Sequence, residues 1–410
     1  MKFAADFHIH SKYSRATSPD MNIKTLSEYA KLKGVSLLGT GDFTHYLWLE
    51  ELKTTLKDSG NGLFEYNSVN FMLTGEISSI YSKNGRVRKI HNVIFAPRFD
   101  IADKVNSVLS GYGNIAYDGR PIIGIDAKDL AELLFGISKD IFLVPGHIWT
   151  PWFSLFGSKS GFDSIEECFG EYTKDIYALE TGLSSDPGMN WQWSKLDRFN
   201  LISNSDSHSP QKIGREANVF DIEMSYKAVI DTLKKKDKNK FLYTIEFFPE
   251  EGKYHYDGHR ACNVRFSPEE TRKNKNICPA CGKSLTIGVM NRVSELADRS
   301  AGFVPENSIP FKRMIPLAEI IADTVGVGVA SKAVNAEYRA IIPRLGTELE
   351  VLTEVNEDKL LRELPIKIAK AIINVRNGNV NILPGFDGEY GTIEILKEKD
   401  NVGEKQLDLF

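Results

Sequence analysis

Only four of the 410 residues are cysteine, and three of these fall between positions 262 and 281. A disulfide framework is therefore excluded, and a metal clip in a reducing compartment is the natural reading. No run approaches the roughly 18 to 20 uncharged apolar residues of a membrane helix, and the start MKFAADFHIH lacks a charged-then-apolar signal segment. A cytoplasmic protein with no membrane partner is expected. Basic charge is not in excess either: 51 Lys and Arg face 55 Asp and Glu, a formal net charge of −4. Any contact with nucleic acid must then come from local patches. Histidine is scarce, with eight in the chain, and none follows residue 259. This partition points to an N-terminal metal-using module followed by segments with other work. What remains is ordinary for a folded chain, 42% hydrophobic and 26% charged, with room for roughly two to three domains of ~150 residues.

From residue 1 to about 240, short apolar runs rich in β-branched residues (SLLGTGD, FMLTGEI, HNVIFA, DIFLVPGH, DIYALETG, NLISNSDSH) alternate with helical patterns such as TLSEYAKLKG and DAKDLAELLFG. The alternation predicts an α/β fold with a parallel sheet or barrel. In such barrels, polar residues at the C-terminal ends of strands converge on one mouth. Six histidines and three acids hold these positions: His8 and His10, Asp42 and His45, Glu76, His91, His147, and Asp206 and His208. In extended chain i and i+2 share a face, so H-x-H and D-x-H each offer two ligands to one site. Imidazole and carboxylate without cysteine suit Zn²⁺, Mn²⁺ or Fe²⁺, and a carboxylate such as Glu76 can bridge two ions. Metal-assisted hydrolysis is the chemistry implied.

The basic tract TLKKKDKNK at 232 to 240 reads as the exit from this domain. Between 250 and 300, His259 and Cys262 form an H-x-x-C pair, and Cys278 and Cys281 a C-x-x-C pair, the spacing of a zinc ribbon with one structural Zn. His255 is the alternative fourth ligand, though His259 fits the two-residue gap. Residues 301 to 395 combine helical stretches with turn signals such as GFDGEYG into a small α+β domain. Its Lys312, Arg313, Lys332, Arg339 and Arg344 form either a DNA contact or a solvated surface.

Aromatics cluster directly after His147, as Trp149, Trp152, Phe153 and Phe156, followed by Gly157, Ser158, Lys159, Ser160 and Gly161. Aromatics can hold a flipped base, and a small hydroxyl-rich loop with one Lys can approach a phosphate; an apolar lid is the plainer alternative. Lys12 and Arg15 lie just beyond His10 as further phosphate contacts, and Glu180 in ALETG either supports the ligands or lines a pocket. Residues 396 to 410 read as a charged tether ending in Gln406, Leu407, Asp408, Leu409 and Phe410. Such a peptide can fill an apolar groove on a partner. It resembles the bacterial sliding-clamp-binding pentapeptide, which implies a bacterial owner.

The order H-x-H, acid with nearby His, Glu, His, His, D-x-H over residues 1 to about 215 resembles the polymerase and histidinol phosphatase (PHP) metallo-phosphoesterases. That resemblance implies a distorted (β/α) barrel in which His8, His10, Glu76 and Asp206 hold one metal and Glu76, His91 and His147 a second. A third would use His208 with Asp42 and His45. This sequence departs from the common pattern at GDFTH, where acid and His are not adjacent, and no His follows shortly after HIH. The succession of PHP module, ribbon and GFDGEYG-containing domain resembles the endonuclease Q family, as do HIWTPWFSLFGSKSGFDS and SNSDSHSP. What this implies is a monomeric, nucleoid-associated endonuclease that nicks damaged DNA 5′ of uracil, hypoxanthine, xanthine and abasic sites. Its catalytic residues would be Asp206, His8, His10 and Glu76, with two or three Zn, Mn, Fe or Mg ions. The rivals are a PHP phosphatase or exonuclease on small phosphates or DNA ends, and a non-catalytic clamp-delivered adaptor.

Overall fold

A computed structural model of the chain describes residues 1–396. The first body is the expected distorted α/β barrel. Strand Lys2–Asp6 pairs in parallel with Val35–Gly39, which pairs in parallel with Val69–Lys83. The intervening helix Ile23–Lys33 buries Ile23, Leu26 and Ala30, a stripe at i, i+3 and i+7, and ends at Gly34 with φ 86°. Ala217–Asp221 returns antiparallel beside the first strand and is followed by Phe241–Glu246. Two short parallel strands, Ala178–Glu180 and Asn200–Ile202, stand after Phe142–Pro145.

The sheet is not parallel throughout, as the βα repeat had predicted. Val69–Lys83 and Arg86–Ala96 form one long antiparallel hairpin. Their connection is Asn84-Gly85 with φ 53° and 73°. Positive φ at both residues is the signature of a two-residue hairpin turn, and a parallel crossover needs a dozen residues or more.

The stretch at the expected first boundary belongs to the main sheet. The tract at 232 to 240 ends the helix Tyr226–Lys235 and leads into Phe241–Glu246, another strand of the main sheet. Phe311–Arg313, from the segment expected as a separate domain, pairs in parallel with that strand. Beyond it, five helices between Leu317 and Arg376 pack together, joined to the barrel by a buried ion pair, Lys33 Nζ to Glu348 at 2.6 Å. The hairpin Asn381–Leu383 with Thr392–Glu394 closes the described chain. Its GFDGEYG turn folds back on the ribbon: Arg260 N donates to Asp387 Oδ2 at 2.7 Å, and a Cβ on Gly258 would meet Phe386 at 2.3 Å. No helix among the described residues is long and apolar enough to cross a membrane. The QLDLF peptide lies outside the described residues.

Candidate metal centre

His8 and His10 follow the first strand, with Ile9 between them turned into the core at 1% exposure. Asp206 follows Asn200–Ile202 with φ 47°, and His147 follows Phe142–Pro145 with φ 27°, so both ligand loops turn sharply at the barrel mouth. Glu76 and His91 do not sit at strand ends. They face each other diagonally in the middle of the hairpin, where His91 pairs with Ser78, two residues from Glu76 on the same face.

The result is two donor sets sharing one carboxylate. In His8, His10, Glu76 and Asp206, and again in Glu76, His91 and His147, ligand atoms lie within 4.8 Å of one another. Glu76 Oε2 is 3.5 Å from His8 Nε2 and 3.3 Å from His10 Nε2, and Oε1 is 3.2 Å from His147 Nε2 and beside His91 Nδ1. One carboxylate thus presents an oxygen to each set, the arrangement that bridges two ions. His8 Nε2 is buried with no hydrogen-bond partner and aims into the first set. Buried donor atoms left unpaired are costly unless something fills the site. The imidazole and carboxylate donors fit Zn²⁺, Mn²⁺ or Fe²⁺.

Behind these donors stand carboxylates that orient them. Glu180, fully buried, accepts from His8 Nδ1 at 2.9 Å, from His147 N at 2.8 Å and from Asn204 Nδ2 at 2.8 Å. Asp42 faces His10 Nδ1 at 3.0 Å and accepts from Ser11 N and Oγ at 2.6 and 2.7 Å and from Ser14 Oγ at 2.9 Å. Each imidazole therefore turns Nε2 toward the shared donor set, where His8 Nε2 has no partner and His10 Nε2 lies 3.0 Å from Asp206 Oδ1. Burial opposes charge on His8, but Glu180 and Glu76 outweigh it and hold the imidazole well above its usual pKa. Burial likewise opposes charge on Glu76, yet His91, His8 and Arg120 hold it well below the carboxylate range. Ion binding would release the imidazole protons.

The expected third set does not assemble among the described residues. Asp42 is consumed in orienting His10, and His45 Nε2 is 3.1 Å from the carbonyl of Ala116 while its ring stacks on Tyr13. His208 lies 4.4 Å from the His10 ring, with Nδ1 on the Asp206 carbonyl. The two residues separating acid from His in GDFTH carry His45 onto the start of helix Tyr46–Thr55, away from Asp42's functional face.

The aromatic loop divides. Trp149, 1% exposed, donates to Asn190 Oδ1 at 2.7 Å and packs on Phe156 and Trp193, so both Trp149 and Phe156 belong to the core. Trp152 is 42% exposed, and Phe153, at φ 63°, lies 4.8 Å from the His91 ring. Gly157 and Gly161 are small for packing: a Cβ would meet the Thr150 carbonyl at 2.3 Å and Gly157 N at 2.4 Å, respectively. Their N–H groups, with that of Lys159, are bonded within the loop and do not form a phosphate cradle. Ser160 is likewise turned inward, accepting from Phe153 N, while Ser158 and the Lys159 side chain are exposed. Lys12 pairs with Glu51 at 2.8 Å, and Arg15 lies over the Tyr117 ring beside Asp118. Glu180 is buried and points inward, onto His8 Nδ1 and His147 N.

In the ribbon, His259, Cys262, Cys278 and Cys281 come within the same 4.8 Å limit, His259 Nδ1 lying 3.5 Å from Cys281 Sγ. One imidazole and three thiols fit a tetrahedral Zn²⁺. His255 lies elsewhere, buried at the edge of a cavity with Asp186, Glu250 and Arg313, and burial pushes its pKa down to about 4. Of the basic residues beyond 301, Arg313 pairs with Asp186 and Glu250, Arg344 with Glu363, and Lys312 lies over Tyr243.

Sequence reasoning missed Arg120, whose guanidinium is 3.3 Å from Glu76 Oε2, and Arg292, a buried arginine on helix Val289–Leu296. Arg292 donates to the carbonyls of Phe156 and Phe162 at 3.0 and 3.1 Å, fastening the loop after His147 to the ribbon side. Neither stood in a motif with ligand spacing.

The family described as the MJ0043 C-terminal domain matches residues 316–379, the five-helix segment. An uncharacterized protein of Methanocaldococcus jannaschii is 38% identical over 258 residues, covering 61% of this chain but only 32% of that protein, so the chain spans about a third of its length. The uncharacterized protein YqxK of Bacillus subtilis is 29% identical, covering 96% of this chain and 99% of that one. A crystal structure of the lesion-specific endonuclease PfuEndoQ from Pyrococcus furiosus superimposes with a TM-score of 0.87 at 33% identity, covering 98% of each chain. A structure of endonuclease Q in complex with a 27-mer duplex bearing an abasic lesion gives 0.87 at 32% identity and 99% of each. With that identity sustained from end to end of both chains, the chain belongs to the endonuclease Q family.

Proposed function

We propose that the chain is a metal-dependent DNA repair endonuclease that nicks duplexes 5′ of deaminated bases (uracil, hypoxanthine, xanthine) and abasic sites. The observation that carries this reading is the pair of donor sets joined through Glu76, with Asp206 and His147 at their partly exposed edge. Divalent ions there would neutralise charge on a phosphodiester and lower the pKa of an attacking water. The chain's own part is positioning. Glu180 and Asp42 fix the ring orientation of His8 and His10, Glu76 ties the two sets together, and Asp206 completes the first. No covalent nucleophile is needed, because catalysis at a phosphodiester can rest on alignment and charge neutralisation. Exposed Trp152 and half-buried Phe153 are the aromatics available to an unstacked nucleotide. Delivery by a bacterial sliding clamp through Gln406, Leu407, Leu409 and Phe410 is supported by the peptide sequence alone.

The test is incubation with Mn²⁺ or Mg²⁺ and end-labelled duplexes containing a single uracil or hypoxanthine. One internal nick at a fixed position is expected, and Asp206→Asn or His8→Ala should abolish it while lesion binding persists. Shortening from the ends or release of inorganic phosphate would favour the exonuclease or phosphatase, and binding without cleavage the adaptor.

A further inference from the structure

Arg120 places a guanidinium 3.3 Å from the bridging carboxylate, and it reaches the site from an irregular loop. That loop leads to strand Ile122–Ile123 and is fixed from both sides: Ser78 N donates to the Pro121 carbonyl at 3.0 Å, and Gly119 N to the Tyr13 carbonyl at 3.0 Å. Gly119 lies so close on Asp42 that a Cβ there would stand 2.3 Å from Asp42 Oδ2 and 2.4 Å from Ser14 Oγ. Arg120 N is bonded to Asp118 Oδ1 at 3.1 Å. The arginine is thus delivered by backbone jammed against the residues that orient His10.

Its side chain is 29% exposed, so part of the guanidinium faces the mouth while Nη1 touches Glu76 Oε2 at 3.3 Å. An arginine beside a bridging carboxylate is a poor arrangement for ion binding alone, because it competes for the oxygen an ion needs. Once Glu76 Oε2 is given to an ion, Arg120 loses the one side-chain acceptor it has among the described residues. Five planar N–H donors then stand at the mouth, matched to a phosphate's oxygens.

We propose that Arg120 is a catalytic residue that grips the scissile phosphate and stabilises the negative charge its non-bridging oxygens gain as the deprotonated water bonds to phosphorus, before the leaving oxygen departs with the electron pair of the broken bond. This rests on the nuclease reading above. A second negative charge develops on the phosphodiester during in-line displacement, and a fixed cation at that point is stronger for the transition state than for the bound substrate.

The experiment compares the parent with Arg120→Lys and Arg120→Gln in three measurements: bound metal by plasma emission, affinity for a uracil duplex with Ca²⁺ replacing Mn²⁺, and single-turnover nicking in Mn²⁺. Hydrolysis of bis(p-nitrophenyl) phosphate is measured alongside. For Arg120→Gln, metal content is expected to equal the parent's and duplex affinity to fall less than about fivefold, while nicking falls ~10²- to 10³-fold. Added guanidinium should restore part of the rate, and Arg120→Lys should lie between the two. Nicking within about threefold of the parent, or tighter metal binding with the rate retained, would make Arg120 a mere counter-ion of Glu76 and overturn the proposal. Loss of bound metal would assign it to site assembly and overturn it equally. If the parent hydrolyses the small diester but nicks no lesion duplex, the nuclease reading fails, and Arg120 is judged by the diester rates.

Discussion

Glu180→Gln probes the orienting layer without touching a ligand. The carboxylate meets donors only: Oε1 takes His8 Nδ1 at 2.9 Å and Asn204 Nδ2 at 2.8 Å, and Oε2 takes His8 Nδ1 at 3.0 Å and His147 N at 2.8 Å. A glutamine of the same shape must turn its NH₂ toward one of them. Toward His147 it meets a backbone N–H. Toward Asn204 it meets an amide that cannot flip, because Asn204 Oδ1 already accepts from Phe7 N at 2.9 Å and Asn218 Nδ2 at 3.0 Å. Either orientation leaves buried donors facing each other, at about 1–3 kcal/mol for an unsatisfied group. His8 also loses the charged acceptor that fixes its Nδ1 proton and makes Nε2 a stronger donor to an ion. Losing such a partner weakens metal binding ~10- to 100-fold, or about 1.4–2.8 kcal/mol. Mn²⁺ titration of nicking, with calorimetric titration of the metal-free protein, should show the half-saturation point shifted by this factor and the rate substantially recovered at saturating Mn²⁺. A dissociation constant within about twofold of the parent's would refute the orienting role. A rate that stays low at saturation would place Glu180 in the chemistry instead.

Cys278→Ser or Cys281→Ser should release one zinc and raise hydrogen exchange over residues 250 to 300, since a ribbon this small has little core without its ion; through Arg292 the loop after His147 should loosen as well, which exchange at Phe156 and Phe162 would register. Burial raises the Glu246 pKa to about 8, so the folded chain binds more protons there than the unfolded chain above its ordinary value of 4.5. Stability contributed by that group is present at low pH and is lost as pH rises through about 8; thermal melts from pH 5 to 9 should show this fall, and Glu246→Gln should flatten it. Leu409→Ala combined with Phe410→Ala should weaken binding to a bacterial clamp by several kcal/mol while leaving nicking of naked duplexes unchanged, measured by calorimetry and the labelled-duplex assay.

The ligand set was legible because it is local: H-x-H and D-x-H carry their geometry in two residues of extended chain, and the ribbon carries its geometry in two tight turns. The long hairpin was not read: the apolar runs on either side of Asn84-Gly85 also fit a βα repeat, and a periodicity of two does not say which neighbour a strand takes. Partner-dependent roles could not be read. Trp149 and Phe156 look identical in sequence to Trp152 and Phe153, and only the packing of Trp193 and Asn190, some 40 residues on, separates the core pair from the exposed one. Asp42 and Glu180 offered the same difficulty, since a carboxylate that binds an ion and one that steadies a histidine differ only in which atom lies between them.

That last distinction has a consequence for the whole site. Four carboxylates, Glu76, Asp206, Glu180 and Asp42, surround four imidazoles, but only the first two have oxygens free to face an ion. Two dications would bring four positive charges against four negative ones, so the loaded centre approaches neutrality only if the orienting pair stays ionised. Burial opposes charge on Asp42, but His10 and the hydrogen bonds from Ser11 outweigh it and hold the carboxyl below its usual range. With the centre neutral, Arg120 becomes the net positive charge left at the mouth, where a phosphodiester would have to bind.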